Sequence, residues 1–372
     1  MNSSYRYYLL LFLVGFLPFA SKAQVPPAEL FQASKHQRNQ NTDFAFGADL
    51  SFLRQVEEKG LVFKDNGQLK PGLQIFKDNG YNWIRLRTCV EPATLPNGID
   101  YTIAMAKDAK RLGFKFFLDF HYSNGWADPT NEPTPKAWQS LSHPDRVKAL
   151  YEYTKKTIAA LAEAQVLPDM VQIGNEVSNG MLWPHAKLPD NWDNFADYIY
   201  AGINGVDAGR GNEKRPIIML HVDHGGDIPK TQAFFDKIQA YNIPYDVIGF
   251  SFYPWSHGTL VNLRENLVFA ADRYKKDVYL VETGYYWKQS KYFSTFPGPF
   301  QETPEGQLKW LEAVTDIVMS VPNNRGKGVM WWEPAANGGL RARGFFDEAG
   351  NAQPVFKAFH QYTRPVHRTD GQ

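Results

Sequence analysis

The chain runs to 372 residues with 40 basic and 39 acidic side chains, a net charge of +1. That length suits one large domain or two ordinary ones, and the balanced charge leaves no electrostatic footprint for nucleic acid or an anionic membrane. A neutral partner is expected. Aromatic residues make up 15% of the sequence, with 10 Trp, 19 Tyr and 26 Phe; most serve as core cargo, but indoles in loops are also suited to stacking on sugar faces. Cys89 is the only cysteine, which excludes an intramolecular disulfide.

In chain order, Arg6 precedes an apolar run from Tyr7 to Phe19, and Ser21-Lys22-Ala23 supplies small residues for cleavage. Residues 1–23 are therefore expected to be a signal peptide, with export to a periplasm or the medium. The run is short and broken by Pro18, a poor membrane span. Residues 24–42 carry little periodic apolar content and read as a flexible leader.

Eight short apolar runs then read as strands: Phe46–Leu50, Trp83–Arg87, Lys115–Phe120, Met170–Asn175, Pro216–His221, Val247–Phe252, Val278–Val281 and Gly328–Trp332. Helical spacing of apolar residues separates most of them, over Ile103–Leu112, Asp145–Ala164, Trp192–Asn204, Lys230–Ala240, Asn262–Tyr274 and Thr303–Met319. Two of these open with helix-starting chemistry, His143-Pro144-Asp145 and Thr303-Pro304-Glu305. Eight strands alternating with helices predict an α/β fold, a single-domain (β/α)₈ barrel over residues 43–365, with a short tail at 366–372. A doubly wound sheet fits less well, since Gly47-Ala48-Asp49-Leu50-Ser51 lacks the glycine pattern of a nucleotide-binding turn.

Such barrels place their chemistry where strands end. Polar residues crowd there: Asp49, Arg85 and Arg87, Asp119 and His121, Asn175 and Glu176, His221 and Asp223, Ser251 and Tyr253, Glu282, Trp332 and Glu333. Strand alternation turns both guanidiniums of Ile84-Arg85-Leu86-Arg87 inward, where carboxylates must receive them. The same parity puts Asp119 and His121 on one side. His121 with His221, Asp223 and His224 also admits a metal-site reading, but that would leave Glu176 and Glu282 without roles. Those two glutamates, about three βα units apart, match the paired carboxyls that cleave glycosidic bonds. Glu176 suits the acid/base, beside an Asn175 able to bond a sugar hydroxyl. Glu282 suits the nucleophile, with Arg85 to keep it ionised and Tyr253 to orient it. Trp126, Trp183 and Trp255, each a few residues beyond a strand, are the loop indoles able to stack on sugar. This chemistry needs no cofactor and no metal.

The segments Gly47-Ala48-Asp49-Leu50-Ser51, Ile84-Arg85-Leu86-Arg87, Asp119-Phe120-His121-Tyr122-Ser123, Trp126-Ala127-Asp128-Pro129, Gly174-Asn175-Glu176, Leu182-Trp183-Pro184, Gly249-Phe250-Ser251-Phe252-Tyr253-Pro254, Val281-Glu282-Thr283 and Trp332-Glu333-Pro334 resemble the endo-β-1,4-galactanases, family 53 of the glycoside hydrolases. The resemblance runs from about Phe46 to about Pro334 and is most selective over Asp119 to Pro129. It implies retaining hydrolysis of internal β-1,4-galactosyl links in galactan or type I arabinogalactan, with Glu176 as acid/base and Glu282 as nucleophile; a monomer is expected. It further implies that Arg85, His121, Asn175, Tyr253 and Trp332 surround the cleaved sugar, and that Asp128, Trp126, Trp183 and Trp255 shape the groove. Asp119 and His221 are placed among the substrate-binding residues as well. Two departures stand out: Cys89 where the family usually has an aromatic, and Ala335-Ala336-Asn337 where a tryptophan is common. Calcium is not carried over, because Tyr285 to Pro304 contains no aspartate. On residues alone, another retaining barrel glycanase acting on mannan or β-glucan, or a non-catalytic glycan-binding barrel, stays open.

Overall fold

The computed structural model describes residues 43–294 and 297–363. The expected signal peptide, leader and tail at 366–372 lie outside the described residues. Eight parallel strands form a closed barrel: β1 (Ala45–Asp49), β2 (Trp83–Cys89), β3 (Lys115–His121), β4 (Met170–Ile173), β5 (Ile217–Val222), β6 (Val247–Phe252), β7 (Asp277–Thr283) and β8 (Gly326–Trp332). Each pairs with its neighbour in sequence, and β8 closes on β1 with Ala45 opposite Gly328 and Asp49 opposite Trp332. The expected barrel is therefore the fold observed.

Among the described residues, the longest helices of the successive connections between strands are α1 (Gly72–Asp78), α2 (Ile99–Arg111), α3 (His143–Glu163), α4 (Trp192–Gly209), α5 (Ile228–Ala240), α6 (Leu260–Tyr274) and α7 (Pro304–Met319), with a further short helix at Leu53–Glu58 ahead of α1. Several begin two to four residues before their apolar stripe does. Except in α2, the early starts have first turns held by side-chain caps, which periodicity does not register. Asp227 accepts from the Lys230 amide at 3.0 Å to start α5, Thr303 accepts from the Gly306 amide at 3.1 Å to start α7, and Thr259 and Asn262 make a reciprocal capping box at α6. Between β1 and β2 the sequence shows no helical stripe; α1 has only 7 residues, too few to repeat one.

Two apolar layers result. Residues facing the barrel axis, including Trp83, Phe117, Met170, Met219, Val281 and Met330, pack among themselves, while the outward strand faces and the helices share the larger core. Gly249 of β6 makes room on the axis, since a Cβ there would lie 2.5 Å from the Met219 sulfur. After β8 a 3₁₀ segment, Pro354–Phe359, leads into the final helix His360–Thr363, and Phe359 packs on Phe46 with ring centres 4.6 Å apart. Among the described residues no helix is long and apolar enough to cross a membrane.

Candidate active site

Glu282 belongs to β7 itself, one residue before its end, and is 5% exposed. Glu176 stands beyond β4. The expected strand to Asn175 stops at Ile173, because Gly174 takes φ +81° and Glu176 the left-handed conformation, φ 46° and ψ 47°. A side chain at Gly174 would also meet the Val177 methyl at 2.5 Å. This turn lifts the Asn175 and Glu176 side chains over the barrel mouth at a cost in backbone strain.

Arg85 of β2 is the hub. Its Nη1 reaches Asp49 Oδ2 at 2.9 Å and Glu282 Oε1 at 2.7 Å, and its Nη2 reaches Asp119 Oδ2 at 2.9 Å, Asn175 Oδ1 at 2.8 Å and Gln172 Oε1 at 3.2 Å. A buried guanidinium is costly by itself. Here three carboxylates outweigh burial and raise its pKa.

The two glutamates sit in different surroundings. Glu282 receives Arg85 on one oxygen and the Tyr253 hydroxyl at 3.1 Å on the other. Burial raises its carboxyl above the ordinary value, and Arg85 limits the rise. Glu176 is pushed well above the carboxylate range, by burial first and by the charge of Glu282 second. Glu176 is thus pushed further up than Glu282, which favours the shared proton on Glu176 and the charge on Glu282. Tyr253 stays protonated, its hydroxyl held up by burial and by the carboxylate it serves.

Behind the pair lies a polar floor. Asp119 accepts from Gln172 at 2.7 Å and pairs with His121 Nε2 at 3.0 Å, while His121 Nδ1 accepts from the Ala127 amide at 3.3 Å. Asn175 donates to the Ala127 carbonyl at 2.9 Å, which fixes its side chain between Arg85 and the β3 loop. Asp119 and His221 were expected to bind substrate. Both have no exposed surface, so they support the groups that face the mouth rather than line it. Both His221 nitrogens are engaged, by the Glu176 amide and by Ser251. Among the described residues no group of three or more His, Cys, Asp or Glu is gathered to hold a metal ion.

The aromatic residues divide. Trp126, 40% exposed, lies over Arg87 at 4.5 Å and near Trp332 with ring centres 6.0 Å apart. Phe52 covers Arg87 at 4.4 Å, and Arg87 bonds Glu333 at 2.5 Å. Trp255 stacks on Tyr253 at 5.1 Å and is buttressed by Tyr286, Tyr292 and Phe293 of the loop after β7. That loop packs onto the barrel through Tyr285, which stacks on Trp310 of α7. The Trp183 ring is covered by Lys187 at 4.3 Å, and its backbone amide donates to the Glu132 carbonyl of the neighbouring loop. Asp128 accepts from the amide and hydroxyl of Thr130, so its side chain shapes its own turn. Cys89 is buried at the end of β2, its thiol pushed up to about 12 mainly by burial.

Two contributors escape sequence reading. Gln172 lies within the apolar run of β4, where a lone amide looks incidental, yet it joins Arg85, Asp119 and Asn175. Arg343, from an irregular segment after β8, sits 5.0 Å from the Trp332 ring and within 6 Å of Tyr253, Trp255 and Tyr286. Nothing local marks it.

The family model of glycosyl hydrolase family 53 matches residues 45–359. The arabinogalactan endo-β-1,4-galactanase of Humicola insolens is 34% identical over 333 residues, covering 85% of this chain and 98% of its own. The enzyme of the same name from Cellvibrio japonicus is 34% identical over 312 residues, covering 79% and 81%. Among solved structures, the family 53 catalytic domain of Ignisphaera aggregans superposes with a TM-score of 0.81 at 30% identity, over 87% of this chain and 97% of that one. A closed eight-stranded barrel with paired glutamates at its mouth, matched along nearly its whole length, belongs to glycosyl hydrolase family 53.

Proposed function

We propose that this chain is an exported endo-β-1,4-galactanase that cleaves galactan and type I arabinogalactan with retention of configuration. The observation that carries the reading is the asymmetry of the carboxyl pair: Glu282 is held by Arg85 at 2.7 Å and Tyr253 at 3.1 Å, whereas burial and Glu282 push Glu176 up. The named relatives supply the substrate. Glu176 gives its proton to the departing glycosidic oxygen while a Glu282 oxygen bonds the anomeric carbon from the other face. Water then attacks that carbon, returns a proton to Glu176 and releases Glu282. Arg85, His121, Asn175 and Tyr253 are assigned to the cleaved sugar's surroundings, and Trp126, Trp255 and Trp332 to stacking along the groove. Export rests on the Arg6 and Tyr7–Phe19 pattern, and the enzyme is taken to work as a monomer without cofactor.

Digestion of linear β-1,4-galactan with sizing of the products tests substrate and endo action together. Glu282→Gly should abolish that digestion yet recover turnover on an activated galactoside with azide, giving the inverted azide. Cleavage of mannan or β-glucan in place of galactan overturns the substrate, binding without cleavage overturns catalysis, and undiminished hydrolysis by Glu282→Gly overturns the nucleophile.

A further inference from the structure

We propose that His221 and Ser251 are positioning residues for Glu176, closing a hydrogen-bond circuit that begins at its backbone amide and ends at its own carboxyl. The Glu176 N–H donates to His221 Nδ1 at 3.4 Å, and His221 Nε2 lies 2.9 Å from Ser251 Oγ. The Ser251 hydroxyl in turn acts on the Glu176 carboxyl as a side-chain donor, which lowers its pKa. One direction satisfies every member. A ring nitrogen that accepts from an amide carries no proton, so the imidazole proton sits on Nε2 and is donated to Ser251. Ser251 then has its single hydrogen free for the Glu176 carboxyl.

The scaffold places both residues for this. His221 on β5 pairs with Gly249 on β6, and Ser251 follows two positions on, beside a register shift between Phe250 and Ser251 that re-aims the strand. Both side chains are fully buried, so neither touches substrate. Burial pushes His221 far below its ordinary value, with Arg85 adding to the effect, and this keeps the neutral ring that the circuit requires. The circuit grips the residue that most needs it: Glu176 holds a left-handed backbone that an L side chain adopts rarely. Its carboxyl faces Glu282 of β7, Asp223 beyond β5 and Arg85 of β2, and it also acts on Glu132 of the β3–α3 loop and Tyr253 beyond β6. Among these only Arg85 is a cation, and it is committed to Glu282 and Asp119. Ser251 is thus the donor that turns Glu176's other oxygen toward the leaving group.

This inference rests on Glu176 being the proton donor. The test compares wild type, Ser251→Ala, Ser251→Thr, His221→Gln and Glu176→Ala on linear galactan and on a dinitrophenyl β-1,4-galactobioside, whose leaving group departs without a proton. Ser251→Ala should lower kcat on galactan by about tenfold or more with KM within about twofold, while kcat/KM on the activated substrate falls far less. Removing a donor to the carboxylate destabilises its ionised form, so the basic limb of the pH profile should move to higher pH. Ser251→Thr keeps the hydroxyl and should keep the limb, and His221→Gln should reproduce the Ser251→Ala pattern if that variant does not fold. Equal losses on both substrates with an unmoved limb overturn the circuit. If Glu176→Ala retains galactan hydrolysis, the acid/base reading falls; if it shows the leaving-group signature and the Ser251 and His221 variants do not, only the circuit falls.

Discussion

At the scale of single residues, the site is governed by how buried charges are answered. Asp119 is fully buried, with Arg85 at 2.9 Å, Gln172 at 2.7 Å and His121 at 3.0 Å. Burial pushes its carboxyl up, but Arg85 and His121 overcome that and hold it down to about 2. A carboxyl held below its ordinary value contributes stability that is complete above the unfolded pKa and is lost as pH falls through the folded one. Asp119→Ala should therefore lower the unfolding free energy at pH 7 by about 3–5 kcal/mol, with the deficit shrinking as the pH is taken from about 4 toward about 2. Denaturant titrations of wild type and variant across that range check it; a deficit independent of pH would remove the ion pair as the cause. Glu176 and Glu282 were legible because an acid closing an apolar run stands out. Gln172 and Arg343 were not, since their partners come from other strands and loops.

At the scale of elements, strands were easier to read than helix starts. Buried parallel strands are continuous apolar runs, whereas a helix's first turn depends on a cap such as Asp227 or Thr259 that carries no stripe. Inside β6, the absent side chain of Gly249 leaves the Met219 thioether its place. Gly249→Ala should destabilise the fold by about 1–3 kcal/mol through overpacking, read as a lowered denaturation midpoint. Pairing with Met219→Ala should recover part of that loss; no recovery would point to backbone strain instead.

For the whole molecule, closure is the defining event. β1 pairs on both sides, with β2 and with β8, so the first and last thirds of the chain are joined through one short strand. The family model spans residues 45–359, and the eight barrel strands from Ala45 to Trp332 lie inside that span. A protein trimmed to residues 43–363 should fold, cleave the same substrate and melt within about 3 °C of the full chain, a shift on the order of 1 kcal/mol for a domain of this size. Thermal melts and activity of the trimmed protein decide this, and a large loss of either would place residues outside that span in the working domain.

Sequence alone determined the alternation of strands and helices, the inward parity of Arg85 and Arg87, and the placement of both glutamates at strand ends, because each depends on local period or on a residue type out of keeping with its neighbours. It placed Asp119 and His221 against the sugar, and only the tertiary structure withdrew them beneath it. The assignment of the proton to Glu176, read from the sequence, finds its physical cause only in three dimensions. That cause rests on burial and on the distances from Arg85 and Tyr253 to Glu282, and electrostatic energy follows separation in space, not position along the chain.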